Sequence, residues 1–276
     1  MTIDSHQHFW KYNPVRDAWI TGDMKVLQQD FLPPDLEPLL TAHSVEGCVA
    51  VQADSSEHET IFLSELAQAD PRIKGVVGWT DLLSEDLESA LEKYRDLAVV
   101  KGFRHILQAE KEGFMLQPKF LKGVKLLEQY GFTYDILIYE KQLDEALDLV
   151  KQVPDRIPLV IDHIAKPNIK ESSFSYWQEK IKLIATHPNV FIKLSGMVTE
   201  ADWHHWEKKD FVPYIETVLN AFGPTRIMFG SDWPVCLLAA SYERVISMAR
   251  DFTATLSVEE QAAIMGGTAA QFYSLS

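Results

Sequence analysis

Short apolar runs rich in β-branched residues recur along the whole chain, and between them the apolar positions switch to helical spacing. The runs at Ile3–Phe9, Val45–Ala53, Ile73–Trp79, Val99–Ile106, Phe132–Tyr139, Pro158–Ile164, Val190–Gly196 and Arg226–Asp232 predict eight strands. The segments Leu36–His43, His58–Ala69, Leu87–Leu97, Phe120–Tyr130, Leu143–Val153, Trp177–Thr186 and Val212–Phe222 predict helices. Leu143, Ala146, Leu147 and Val150, for example, fall at i, i+3, i+4 and i+7, which is one helix face. Gly131 and Gly223 follow helix ends, where a left-handed residue closes the last turn. Ser257 with Glu260 reads as a capping box opening a late helix, which Gly266–Gly267 would close.

Strand and helix alternating over the full length predict a parallel sheet, because only helical crossovers join parallel neighbours. Eight such units leave nothing over for a second domain. The expectation is an α/β fold, a closed (β/α)8 TIM barrel forming one domain over residues 1–276. A doubly wound open sheet would carry phosphate-binding glycines after its first strand. Here that strand is followed by Phe9-Trp10-Lys11-Tyr12-Asn13-Pro14, and the first glycine is Gly22.

The composition supports a large packed core: 276 residues, 46% hydrophobic and 11% aromatic. A formal net charge of −14 argues against nucleic acid as a partner, since phosphate binding needs clustered positive charge. It leaves room for a local basic pocket. Cys48 and Cys236 show no metal-binding or redox spacing and read as reduced, buried thiols. The N-terminus lacks a basic and apolar leader, and no apolar run approaches membrane-spanning length. The expectation is a cytoplasmic protein with no membrane partner. A homo-oligomer stays open.

Chemistry in a barrel belongs at the C-terminal ends of the strands. The first strand ends in His6-Gln7-His8, and alternation points both imidazoles to one side, a spacing suited to zinc. The sixth strand ends in Asp162-His163 and the eighth in Ser231-Asp232-Trp233. Either histidine pair alone could be a satisfied polar edge. Metal-ligating or acid–base groups arriving at three strand ends together point to a site. On the fourth strand only one of Arg104 and His105 can face the mouth, and Arg104 is preferred. Asp135 and Tyr139 on the fifth strand are open to a substrate-binding or a core role. Trp10, Trp79 and Trp233 follow strand ends, either as packing under loops or as a platform for a sugar ring. The segment Trp203-His204-His205-Trp206 is a candidate lid or an ordinary surface stretch.

In order along the chain, IDSHQHFW, VVKGFRHILQ, DHIAKP, IKLSG and MFGSDWPV resemble the amidohydrolase superfamily. They resemble in particular its amidohydrolase-related branch of sugar lactonases (fuconolactonase and rhamnonolactonase types) and pyrone-dicarboxylate lactonase. The resemblance runs from Ile3 to the C-terminus. It implies a (β/α)8 barrel in which water attacks the ester carbonyl of a sugar lactone. It implies Asp232 as the general base, His163 as an imidazole contacting substrate or metal, and His6 and His8 as the metal pair. It implies Arg104 as a substrate-binding residue; Trp10 and Asp135 are taken as candidate substrate contacts from their strand-end positions. The pattern of binuclear members is incomplete: the seventh strand, Phe191-Ile192-Lys193-Leu194-Ser195, offers no histidine, and Lys101 lacks partners for a bridging role. One divalent metal, zinc foremost, or metal-independent hydrolysis is therefore implied. The competing expectations are a metal-dependent decarboxylase of the same superfamily, a dicarboxylate lactonase, and a ligand-binding barrel without activity.

Overall fold

The computed structural model describes residues 1–171 and 174–276. Its strands are β1 (Ile3–Gln7), β2 (Gly47–Val51), β3 (Ile73–Gly78), β4 (Val100–His105), β5 (Thr133–Ile136), β6 (Leu159–Ile161), β7 (Val190–Leu194) and β8 (Ile227–Phe229). They form one sheet in sequence order, each parallel to the next. The sheet curls until β1 meets the chain just past β8: Asp232 N donates to His6 O at 2.8 Å and His8 N to Trp233 O at 2.7 Å. Every predicted strand forms, each shortened at its ends where the chain bends into a loop.

The helices are α1 (Pro33–Ala42), α2 (Glu57–Ala69), α3 (Leu87–Arg95), α4 (Pro118–Leu127), α5 (Leu143–Gln152), α6 (Phe174–Ala185), α7 (Val212–Phe222), α8 (Tyr242–Thr253), α9 (Val258–Ala262) and α10 (Thr268–Phe272). The helix α8 is absent from the sequence expectation, although Tyr242, Val245, Ile246 and Ala249 bury at helical spacing and Ser241 Oγ accepts from Arg244 N at 3.2 Å. Ser257 and Glu260 form the expected capping box. The glycines do not end that helix: residues Ala263–Gly267 make a wider turn, and the chain continues into α10. Gly131 is left-handed as expected (φ 80°, ψ 21°), whereas Gly223 has positive φ with extended ψ (68°, 161°).

Two apolar layers result. The larger lies between sheet and helices. The smaller fills the lower bore, where Val49, Val51, Val77, Val160 and Met228 meet Ala269, Phe272 and Tyr273 of the segment after α8. That segment plugs the end of the barrel opposite the site. Lys101 lies at this end, its Nζ donating to Ser274 O at 3.3 Å, so it does not reach the mouth. Cys48 and Cys236 are both free and buried.

One buried acid sits on the helical layer. Glu59 in α2 accepts from Ala53 N at 2.9 Å, and burial pushes its carboxyl up to about 7. The folded state therefore holds this proton more tightly than the unfolded chain, whose value is 4.5. Stability conferred by the neutral acid is lost as pH rises from the unfolded value through the folded one, by on the order of 3 kcal/mol. Glu59→Gln keeps the acceptor and removes the titration. Its melting temperature should exceed that of the parent by several degrees at pH 8 and match it near pH 4. A difference independent of pH would show that Glu59 ionises freely.

Candidate active site

Period-2 alternation along β1 sends His6 and His8 to the same side, with their Nε2 atoms 3.2 Å apart. His163 arrives from the end of β6 and Asp232 from the turn after β8. Asp232 Oδ1 lies 3.5 Å from His8 Nε2, 3.8 Å from His163 Nε2 and 4.0 Å from His6 Nε2. All four residues are buried at the C-terminal mouth.

Each ring has a partner for its other nitrogen. His8 Nδ1 donates to Val51 O at 2.7 Å, and His163 Nδ1 lies 2.9 Å from Ser195 Oγ. His6 Nδ1 lies 3.3 Å from Asp162 Oδ1 and 3.2 Å from Lys193 Nζ. A proton on Nδ1 leaves the Nε2 lone pair facing the shared point, the arrangement that orients metal-ligating imidazoles. Burial holds His6 and His163 well below the usual histidine range, so both rings are neutral. Burial alone would raise Asp232, but His163, His8 and Lys166 outweigh it and keep the carboxylate ionised. Tetrahedral zinc–nitrogen bonds place neighbouring ligand atoms roughly 3.3–3.4 Å apart. His6, His8 and Asp232 each offer one ligand atom within 4.8 Å of the others, a donor set that could close on one divalent cation.

Beneath this cluster lies a buried charge network. Arg104 Nη1 donates to Asp162 Oδ2 at 2.9 Å, and Nη2 donates to Gln52 O. Lys193 Nζ donates to Asp135 Oδ2 at 2.5 Å and pairs with Asp162 Oδ1 at 2.9 Å. Tyr273 OH, rising from the lower bore, donates to the same Asp135 oxygen at 2.7 Å. Two cations and two carboxylates balance, as buried charges must. Burial would raise Asp162, yet Lys193, His6 and Arg104 together hold it well below the usual carboxylate range. Arg104 also reaches upward: its Nη1 lies 3.3 Å from His6 Nε2. His105 turns the other way, pairing with Glu110 at 2.9 Å and stacking on Phe114.

Above the cluster opens a cavity of about 500 Å³. His8, Arg104, His163 and Asp232 reach its floor, and Trp10, Trp19, Met24, Tyr139 and Trp203 stand among its walls. Trp10 lines this cavity while packing edge-on against Trp19 and Phe31. Asp135 does not line it. It is fully buried under the floor and engaged by Lys193 and Tyr273, which corrects the expectation that it contacts substrate. Trp233 packs against Phe9 and Phe31, and His204 and His205 are exposed, so only Trp203 of that stretch lines the cavity.

The turn after β6 is unusual. His163, Ile164, Ala165 and Lys166 all have positive φ (53°, 47°, 63° and 44°), a single left-handed turn closed by Lys166 N donating to His163 O at 2.8 Å. Left-handed backbone costs about 1–2 kcal/mol per residue with a side chain. Burial of Ile164 and the bond from Trp177 Nε1 to Ile164 O at 2.7 Å hold the turn in place. Gly196 completes it from β7: with φ 64°, an added Cβ would sit 2.4 Å from His163 Nδ1. Lys193, Lys166 and Glu200 escaped sequence reasoning. The signal for Lys193 was a lone lysine in a strand with apolar residues on both faces; Lys166 and Glu200 lie on turns where no period applies.

The amidohydrolase family profile matches residues 3–275. An L-fucono-1,5-lactonase of Burkholderia multivorans is 41% identical over 287 residues, covering 100% of this chain and 96% of that one. An L-fucono-1,5-lactonase of Burkholderia ambifaria is 32% identical over 283 residues, covering 98% of this chain and 94% of the other. A solved structure of a Burkholderia multivorans amidohydrolase with bound zinc superposes with a TM-score of 0.97 at 41% identity, over 100% of both chains. With the profile running almost end to end and two relatives aligned along nearly the full length, the chain belongs to the amidohydrolase family.

Proposed function

We propose that this chain hydrolyses a sugar-acid lactone of the fuconolactone or rhamnonolactone type, with Asp232 as general base, as one barrel domain over residues 1–276. The observation that carries the reading is the meeting of neutral imidazoles and one ionised carboxylate on the floor of a tryptophan-walled cavity. Both Burkholderia relatives are named L-fucono-1,5-lactonases.

A lactone is an activated ester, so its hydrolysis needs a base for water and positive charge for the developing oxyanion. Asp232 accepts the proton of the attacking water. His163, whose Nε2 lies 3.8 Å from Asp232 Oδ1, helps to orient that water. Arg104, fixed by Asp162 and Gln52, presents its guanidinium beside His6 to the carbonyl oxygen. Trp10 stacks on the sugar ring. His6 and His8, with Asp232, would hold one divalent cation, zinc foremost, which would supply Lewis-acid polarisation of the carbonyl. The buried thiols fit a reducing compartment, and we place the enzyme in the cytoplasm. No described helix is long and apolar enough to cross a membrane.

The test is acid release in a pH-stat on a panel of sugar-acid lactones, beside carbon dioxide release from hydroxybenzoic acids. Acid release from L-fucono-1,5-lactone is expected; carbon dioxide release alone would replace the reading with decarboxylation. Elemental analysis should find at most one equivalent of divalent metal. Exhaustive chelation should lower turnover without abolishing it, because Arg104 keeps a fixed positive charge at the carbonyl. Complete and reversible loss would make the cation indispensable.

A further inference from the structure

The left-handed turn after β6 delivers more than His163. Residues three apart on one turn share a face, so His163 and Lys166 both project into the cavity while Ile164 and Ala165 point into the core. Lys166 meets Glu200, which comes from the turn Met197–Glu200 after β7. Their Nζ and Oε1 atoms are 3.6 Å apart, with side-chain exposures of 17% and 18%. A direct charge-assisted contact closes to about 2.7–2.9 Å. This pair is mostly buried in the cavity wall, with Tyr139, Trp203 and Thr199 among the other lining residues, yet it is not closed. Each partner keeps hydrogen-bonding capacity towards the cavity. Lys166 Nζ lies 5.4 Å from the centre of the Tyr139 ring, which sets its direction.

The charges on the cavity wall also cancel. Among the described lining residues, Arg104 and Lys166 face Glu200 and Asp232, and Arg104 is already committed to Asp162. A dianionic ligand would find no uncommitted pair of cations. A neutral ligand with adjacent hydroxyl groups fits better: one hydroxyl donates to the Glu200 carboxylate while its neighbour accepts from Lys166. Burying an ion pair at this wall is costly unless such partners complete its hydrogen bonds.

We propose that Lys166 and Glu200 form a subsite that reads vicinal hydroxyl groups, making the cavity selective for neutral, polyhydroxylated lactones over deoxy or dicarboxylate ones. This inference rests on the lactonase reading. It assigns a specificity role to two residues that neither give nor take the proton of the attacking water.

The test compares kcat/KM for L-fucono-1,5-lactone and for δ-valerolactone, which has the same ring without hydroxyl groups. The proteins are the parent, Glu200→Gln, Lys166→Met and Lys166→Arg, each checked for an unchanged melting temperature. The parent should strongly prefer the hydroxylated lactone. Glu200→Gln and Lys166→Met should each cut that preference by roughly 10–100-fold, the worth of a hydrogen bond to a charged group, mainly through KM. Lys166→Arg should recover part of it. Equal losses on both lactones would mean a structural role and overturn the inference, as would an unchanged preference. A parent that hydrolyses δ-valerolactone as well as the sugar lactone also overturns it but leaves the lactonase reading standing. A parent that hydrolyses neither lactone overturns both.

Discussion

Asp232→Asn is expected to lower kcat by about 10²–10⁴-fold, the usual contribution of a positioned general base. The change preserves size and most hydrogen bonding but removes the site that takes the proton of water. KM should change far less, because Trp10 and the rest of the cavity wall are untouched. The pH profile adds a second readout. Asp232 is shifted down from 3.8, and His6 and His163 are held well below 6.5. A base with a lowered value stays ionised until the medium is more acidic than that value. The parent's kcat/KM should therefore show no limb in the ordinary histidine range, and an acid limb set by Asp232 should fall below its ordinary value of 3.8. Parent-like turnover in Asp232→Asn would remove the aspartate from the base role. An acid limb near the ordinary histidine range would transfer suspicion to an imidazole.

Lys193→Met should destabilise the fold by about 3–5 kcal/mol, the cost of stranding buried charge when one partner is removed. For a chain of this size that corresponds to a fall in melting temperature of roughly 6–20 °C. Lys193 has no exposed surface, and its ammonium is shared by Asp135 and Asp162. Asp162 would keep Arg104, whereas Asp135 would keep only the Tyr273 hydroxyl. The double change Lys193→Met with Asp135→Asn should recover a large part of the loss, since it leaves no unpaired carboxylate. Differential scanning calorimetry on the two single variants and the double variant measures this. A Lys193→Met protein as stable as the parent would mean that Asp135 is neutral in the fold and needs no cation.

The positions that the sequence made legible are those governed by a period. Alternation in β1 sets His6 and His8 on one side, and in β4 it separates Arg104 from His105. The apolar runs locate all eight strands. Alternation gives the face of a strand but not the depth at which a side chain sits. Asp135 pairs in register with Arg104 and shares its bore, yet it lies below the floor while the arginine's tip reaches it. Lys193 is the same case seen from the other side: β7 carries no histidine, and the depth at which its lysine meets Asp135 and Asp162 is not set by alternation. The subsite residues Lys166 and Glu200 belong to turns whose shape depends on contacts with distant segments, as Gly196 against His163 illustrates.

The plug at the lower end of the bore sets an order of events during synthesis. Asp135 leaves the ribosome 138 residues ahead of Tyr273, the residue that donates to it. At 5–20 residues per second this interval is roughly 7–28 s. Through it, a nascent chain that has already made β1 to β5 holds a carboxylate without its tyrosine partner and an apolar bore open at one end. The barrel cannot settle strand by strand. Its polar centre and its lower apolar layer are completed together by α10 and by Tyr273 just after it, so neither closes before that segment is made.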